Sequence, residues 1–457
     1  MREVAQINSK REELPSMIRN LTSWTICILA GALLFCTKQA QAEDSQMALE
    51  RSKTTTLVFL KPGATPDLKD SILNDSNLKI EKEFVEEKGD WFVARMSPEE
   101  ARDYIMEKYG DAAHIERNSV FYPMSGPCDD NTATALPSGK DTPAGVVKMG
   151  GPLQGTAPNR KVWIIDSGVD VNTDKLTINL GDAALCLTNG INCKSANADP
   201  QRVMDDSGHG TFVAGIIAGK DVGNGSILGM VPGATVVPIK VSDKANPTPN
   251  ADTLLRAMKW VIGETDPSHK AVNGDVVNIS LGMLVDWENI VEDSNTYTVI
   301  ETMIRQLAAS GVKVSVAAGN LMQTDATAVT GGYVELLSPA RLGGYRTASG
   351  GGIVTVSGID ANDKFWFTLS PPSGSFFGNG PRPDFAAPSV DVQSLWINNK
   401  QNKCTGTSFA AAYVSGALLQ SEDIDVTTST VDIMDVDSEN DMLVTCKKNT
   451  SGTCDTN

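Results

Sequence analysis

The sequence predicts an α/β protein, a parallel sheet with helices on both faces, preceded by a small α+β domain of the split βαβ kind. Three observations carry this reading. From Lys161 onward, short β-branched runs alternate with longer helical stretches, the pattern of a parallel sheet covered on both faces. Residues 56–122 instead read strand, helix, strand, strand, helix, strand, a complete small domain. Between the two, residues 123–159 shift to Pro, Gly, Ser, Thr and Asp, the composition of a linker or an exposed lead-in segment.

In the small domain, Thr56 to Leu60 (TLVFL) reads as a strand stopped by Lys61-Pro62-Gly63, and Asp67 to Leu73 as a short helix. Leu78 to Val85 and Trp91 to Met96 form a strand pair about Gly89-Asp90. Ser97-Pro98-Glu99-Glu100 is a helix start: Ser97 caps, Pro98 sits where no N–H is needed, and Glu100 completes a capping box. That helix runs to about Tyr109, and His114 to Asn118 is the last strand. In the large domain the strands are Val162 to Ile165, Ala234 to Val241, Val276 to Ser280, Val312 to Ala317 and Ile353 to Val356. Helices are expected near His209 to Ala218, Asp252 to Ile262, Thr298 to Ala309 and Thr407 to Leu419. No internal repeat is visible.

The composition narrows the function classes. The 457 residues are 41% apolar and 21% charged, an ordinary globular balance, and the net charge is −17. That charge repels a phosphate backbone, and no basic stripe interrupts it, so nucleic acid is not an expected partner. Arg2, Lys10, Arg11 and Arg19 precede an apolar run from Trp24 to Cys36, and Ala40-Gln41-Ala42 offers the small residues of a cleavage site. The run is short of the ~20 residues of a spanning helix. Residues 1–42 are therefore expected to be a signal peptide, with an uncleaved membrane anchor as the competing reading.

Of the eight cysteines, Cys27 and Cys36 lie in the leader, leaving Cys128, Cys186, Cys193, Cys404, Cys446 and Cys454. An even number in an exported chain suits disulfides. Cys186 with Cys193 and Cys446 with Cys454 would close short loops and leave Cys128 with Cys404, though six cysteines allow about 15 pairings. A cysteine metal site is disfavoured, since no His lies near these residues and no Cys-x-x-Cys occurs.

Taken singly, Asp166 after its strand, His209 in Gly208-His209-Gly210-Thr211, Asn320 after Ala317-Ala318-Gly319 and Ser408 before Phe409-Ala410 are no more than turn or cap residues. Together they supply what acyl transfer requires: a nucleophile, a base, a group that orients the base, and donors for an oxyanion. A serine hydroxyl needs an imidazole to take its proton as it attacks. His114, His209 and His269 are the three histidines, and only His209 is flanked by small residues that permit close approach. Asp166 would fix its tautomer, and the Ser408 N–H at a helix start and the Asn320 amide would face the oxyanion.

Ile165-Asp166-Ser167-Gly168-Val169-Asp170, His209-Gly210-Thr211-Phe212-Val213-Ala214-Gly215 and Gly406-Thr407-Ser408-Phe409-Ala410, in that order, resemble the three triad segments of the subtilisin-like serine proteases. Gly229 to Ala234, Asn278 to Gly282 and Asp384 to Pro388 agree with the same family, and the similarity covers roughly residues 160–420. The resemblance implies a subtilisin-like parallel sheet and a secreted serine endopeptidase with Asp166, His209 and Ser408 catalytic and Asn320 and Ser408 forming the oxyanion hole. It further implies substrate binding by Ser280, Leu281, Gly282, Ala317, Ala318 and Gly319.

Many relatives carry a βαββαβ propeptide, so the small ferredoxin-like domain is expected to be an inhibitor-type propeptide. The implied division is signal peptide 1–42, propeptide 43–125 and peptidase domain 126–457 with an acidic C-terminal tail, the processing cut falling between Tyr122 and about Lys140. Expected partners are protein or peptide substrates and the chain's own propeptide as intramolecular inhibitor, with no stable membrane association once the leader is removed. No cofactor is required for the chemistry. Calcium, which many members bind, would be structural only: Asp435, Asp437, Glu439 and Asp441 alternate like a calcium loop, yet Asn440 and Cys446 stand where such a loop needs Gly and Glu. The alternatives are an inactive subtilisin-like binding protein and a membrane-anchored processing protease.

Two positions depart from the family pattern: Phe409 replaces a usual Met after the serine, and Ala412 a usual Pro. Phe409 removes an oxidisable thioether, so resistance to peroxide is expected. The pocket segments carry small and apolar residues and no acid, which favours apolar or aromatic side chains before the scissile bond.

Overall fold

A computed structural model describes residues 51–421 apart from 62, 82–90, 126–127, 129–130, 154–158, 188–191, 285–297, 322–333, 335–336, 370–371 and 376–382, together with 430–433 and 442–445. Residues 1–42, expected as a signal peptide, the expected turn at Gly89-Asp90, the acidic residues 435 to 441 and the expected pairing of Cys446 with Cys454 lie outside the described residues.

The N-terminal unit is a sheet ordered β2-β1-β3, with β1 Thr56–Leu60 central and antiparallel to β2 Trp91–Ala94 and β3 Ala113–Arg117. Two helices, α1 Pro66–Leu73 and α2 Pro98–Tyr109, complete it. The capping box at Ser97 is present in full, Ser97 Oγ accepting from the Glu100 N–H and Glu100 from the Ser97 N–H. Of the expected strand Leu78 to Val85, Ile80 forms a single bridge to Ala94, and the residues from 82 on are among those not described. Strand alternation gives this sheet two buried faces. Val58, Leu60, Phe92 and Ala94 join Ile72 and Ile105 in the unit's own core, whereas Leu57, Trp91 and Val93 pack into the core of the large domain.

The large domain is built on one sheet. Its strands are β5 Lys161–Asp166, β6 Thr235–Lys240, β7 Val276–Ile279, β9 Lys313–Ala317, β10 Gly352–Ile359 and β11 Phe385–Pro388, following β4 Tyr122–Pro123 and interrupted by β8 Leu281–Leu284 outside the sheet. The order β6-β5-β7-β9-β10-β11 is parallel throughout. Four helices pair off: α3 His209–Ala218 against α6 Thr407–Gln420, and α4 Ala251–Ile262 against α5 Val299–Ala309. Two apart on β9, Ser315 donates to the Ala411 carbonyl and Lys313 to the Leu418 carbonyl of α6, so that face of the strand meets the helix. Helix α6 is enclosed along nearly its whole length, which is why its sequence, TSFAAAYVSGALLQ, has no polar stripe. Its buried hydroxyl at Ser415 donates to Asn278 Oδ1 at 2.9 Å.

The chain runs from β5 outward to β6 on one side and then returns to β7 on the other. The connections leaving β5 and β7 therefore diverge, which opens a crevice at the carboxyl ends of these strands. Asp166 ends β5 and Ser280 follows β7, so both stand at that crevice.

Three features differ from the sequence expectation. The segment 123–159 is tied to the body: β4 pairs with β8, Thr134–Ala135 pairs with Lys400–Gln401, Lys140–Asp141 pairs with Ser226–Ile227, and Ala144–Lys148 is a helical turn. A hairpin, β12 Val392–Trp396 and β13 Lys400–Cys404, leads into α6. Where a solvated acidic tail is expected, β14 Thr430–Ile433 and β15 Met442–Thr445 extend the sheet beyond β11. Disulfides join Cys186 to Cys193 and Cys128 to Cys404.

Candidate active site

Asp166 is buried, and its carboxylate accepts from the Ser167 N–H at 2.7 Å and from His209 Nδ1 at 2.8 and 2.9 Å. A carboxylate only accepts here, so the proton sits on Nδ1 and Nε2 keeps its lone pair. His209 Nε2 is buried and makes no hydrogen bond among the described residues, which leaves it free for a proton. Burial alone would push the imidazole pKa down; the Asp166 charge and hydrogen bond outweigh it, with a smaller contribution from Asp205, and raise it above its ordinary value.

His209 is the first residue of α3, and Asp205, a residue the sequence reading passed over, holds that helix end. Its Oδ1 accepts from the Gly208 N–H at 2.8 Å and the Ser167 hydroxyl at 2.9 Å, and its Oδ2 from the Thr211 N–H at 2.8 Å and hydroxyl at 2.6 Å. The Ser167 hydroxyl in turn accepts from the Gly210 N–H. Asp205 thus ties the turn after Asp166 to the turn before His209 and fixes the distance between the two. Burial pushes its own carboxyl pKa up despite these donors. An Asp four residues before a His that opens a glycine-flanked helix was the available signal, since Asp favours positions where it can accept helix-start N–H groups.

Ser408, the second residue of α6, is fully buried, and its Oγ lies 3.4 Å from the Ser280 carbonyl. Asn320 stands across the turn from it. Its Oδ1 accepts from the Thr407 N–H at 3.0 Å and hydroxyl at 2.9 Å, which fixes the amide orientation and leaves Nδ2, a buried donor without a partner among the described residues. The Gly319 N–H donates to Thr407 Oγ1, so the end of β9 that carries Ala317, Ala318 and Gly319 is pinned to the same turn. Phe409 is fully buried, its ring 5.7 Å from the His209 ring and 4.6 Å from Phe212, and it backs the imidazole from within the core.

The cleft is filled by the chain's own residues 120–125. Val120 bridges Asn250, the Phe121 N–H donates to the Pro249 carbonyl, Tyr122 and Pro123 pair with Gly282 and Leu281, and the Met124 N–H donates to the Ser280 carbonyl at 3.0 Å. The Met124 carbonyl accepts from the Ser408 N–H at 2.9 Å. Ser280, Leu281 and Gly282 thus line an extended chain segment. A Cβ at Gly282 would stand 2.6 Å from Met124 Cε, and one at Gly406 2.5 Å from Ser125 Cα, so both positions must lack a side chain for this segment to lie where it does.

A parallel α/β sheet with a buried carboxylate–imidazole pair and a serine at a helix start, all at one crevice, defines a class of protein equipped for nucleophilic acyl chemistry. The sequence model of the subtilase family matches residues 158–433, more than half of the chain, and the chain belongs to that family. It is 27% identical over 262 residues to subtilisin E of Bacillus subtilis (strain 168), an alignment spanning 57% of this chain and 55% of that protein. It is 26% identical over 262 residues to subtilisin of Bacillus pumilus, covering 57% of this chain and 76% of the relative. The crystal structure of a cold adapted subtilisin-like serine proteinase superposes with a TM-score of 0.43 at 19% identity, over 63% of this chain and 88% of that one.

Proposed function

We propose that the chain is a serine endopeptidase that hydrolyses peptide bonds through an acyl-enzyme on Ser408 and is made as a self-inhibited zymogen. The observation that carries this is the buried His209–Asp166 pair with Nε2 unoccupied, beside a serine whose own N–H already holds a peptide carbonyl. Ser408 is the nucleophile, His209 the general base and then acid, and Asp166 the group that orients the imidazole and stabilises its cationic form. The Ser408 N–H and Asn320 Nδ2 are the oxyanion donors. The Ser408 hydroxyl rests at 3.4 Å from the Ser280 carbonyl and His209 Nε2 has no partner among the described residues, and the reaction requires the two to meet, a hydrogen bond that commonly forms or tightens only in the reacting complex.

Residues 43–125 act as the propeptide. The N-terminal unit has its own core and presents to the large domain an apolar sheet face, Leu57, Trp91 and Val93. Glu116 accepts from the Val299 N–H at the start of α5, and Asn118 Oδ1 from the Asp252 N–H at the start of α4. Carboxylate and amide oxygens at helix starts are favourable anchors, so the unit docks on two helix ends at once. Residues 1–42 direct export, and the mature domain begins near residue 126. Among the described residues no helix is long and apolar enough to cross a membrane.

The test is hydrolysis of an unfolded protein substrate by purified, processed chain. Ser408→Ala is expected to lower the rate by about 10⁴-fold or more, while an equal rate in the variant rejects the assignment.

A further inference from the structure

Residues 120–124 are held in the cleft by backbone contacts of the kind a substrate would make, and their placement points to one bond. We infer that the scissile bond of self-processing is Met124–Ser125, and that the mature enzyme prefers substrates with an unbranched apolar residue such as Met before the cut and an aromatic residue three positions earlier. The inference rests on the peptidase reading above and goes beyond it by naming bond and substrate class.

The geometry leaves one carbonyl in position. Residues 121–124 lie as a third strand between the Pro249–Ala251 and Ser280–Gly282 backbones, and only the Met124 carbonyl reaches the Ser408 N–H. Its carbon, about 1.2 Å from that oxygen, is the electrophile nearest the helix start. Ser408 Oγ bonds to this carbon as its proton passes to His209 Nε2. The Met124 C–Ser125 N bond then breaks, and the proton moves from Nε2 to the departing Ser125 nitrogen. Water next gives one proton to Nε2 and its OH to the acyl carbon; the C–Oγ bond breaks, Oγ recovers the proton from Nε2, and the Met124 carboxylic acid that leaves gives its remaining proton to solvent. Atoms and charge balance with water as the only co-reactant.

Side-chain burial gives the specificity. Phe121 and Met124 are 0% and 5% exposed, whereas Tyr122 between them is 38% exposed. Of these three side chains the large domain encloses two and leaves the third in solvent, and Val120, one residue further from the cut, is also buried at 6% exposed. Gly282 sets the shape of the first pocket: the Met124 methyl occupies the space a Cβ there would take, with Leu337 on the far side at 3.0 Å from the same point. Gly282 is a specificity-determining residue, and Ala in its place should favour shorter side chains before the cut.

The experiment has two arms. Mass spectrometry of purified wild-type chain should give a mature N-terminus at Ser125 and a released fragment ending at Met124. A cut elsewhere in chain that a fluorophosphonate labels at Ser408 overturns this proposal and leaves the peptidase reading standing; absence of both cut and label overturns both. The second arm uses quenched peptides carrying the sequence Val120 to Ser125 with processed enzyme, and so does not depend on a variant's folding. Met→Asp before the cut should lower kcat/KM by about 100-fold and Phe→Ala by about 10-fold, in the range that pocket contacts supply. Equal rates for the three peptides would refute the specificity, and in Gly282→Ala the Met peptide should lose ground to an Ala peptide.

Discussion

At the residue scale, His209 is held by two carboxylates with different tasks. Asp166 contacts the imidazole and raises its pKa above 6.5, while Asp205 fixes the helix end that carries it. A raised folded-state value means that the protonated imidazole stabilises the fold. That contribution is complete below the unfolded value of about 6.5 and is lost as pH rises through the folded value. Catalysis needs the opposite, neutral form, so kcat/KM should rise with pH about a midpoint above 6.5. Asp166→Asn removes the raising cause and leaves the lowering effect of burial, so its midpoint should fall below that of the wild type. A pH–rate profile of processed enzyme checks this, and an unshifted midpoint in the variant would count against the pair. The Asp166–His209 pair was legible in the sequence because each member sits in a distinctive run of small residues. Asp205 was not, because a lone Asp before Asp206-Ser207-Gly208 looks like any turn residue until its carboxylate is seen meeting five donors.

At the scale of elements, helices and central strands followed the sequence closely wherever local chemistry and burial agree. The capping box at Ser97 and the starts of α3, α4 and α5 fall at or within one residue of expectation. Elements whose pairing comes from elsewhere in the chain were missed. Tyr122–Pro123 sits in a run of Pro, Gly and Ser that favours a loop, and it becomes a strand because the cleft offers an open edge. The hairpin β12–β13 did carry a local signal: in its three-residue connection, 397–399, Asn398 and Asn399 both have positive φ, 61° and 54°, a left-handed conformation that Asn tolerates. Its strand β13 ends at Cys404, whose disulfide to Cys128 closes a separation of 276 residues, against 7 for Cys186–Cys193. Loop-closure entropy makes the longer link the more stabilising. Replacing Cys128 and Cys404 by Ser in the Ser408→Ala chain should cost about 2–5 kcal/mol in denaturant unfolding, more than the same change at Cys186 and Cys193. The reverse ranking would show that strain or residual structure dominates.

At the scale of the whole molecule, the N-terminal unit, the cleft segment and the large domain form one closed arrangement. The small unit anchors on the starts of α4 and α5, and the chain then passes directly through the crevice between β5 and β7 to present a carbonyl to Ser408. A substrate mimic covalently continuous with its enzyme needs no diffusional encounter, which gives it a high effective concentration in the cleft. The small unit has a core of its own, so under the proposed self-processing a cut within that segment would leave it attached only through its docking face. The sequence suggested two domains and a lead-in between them; it could not show that the lead-in lies in the crevice with its Met124 carbonyl on the Ser408 N–H, since that placement depends on how the folded sheet meets the segment.

The central claim, that Ser408 is an activated nucleophile, is tested most directly by fluorophosphonate labelling of the processed protein followed by peptide mapping. A phosphonyl adduct on the peptide containing Ser408, lost in His209→Ala, is the expected result. Absence of the adduct from processed protein, or equal labelling in His209→Ala, would contradict it.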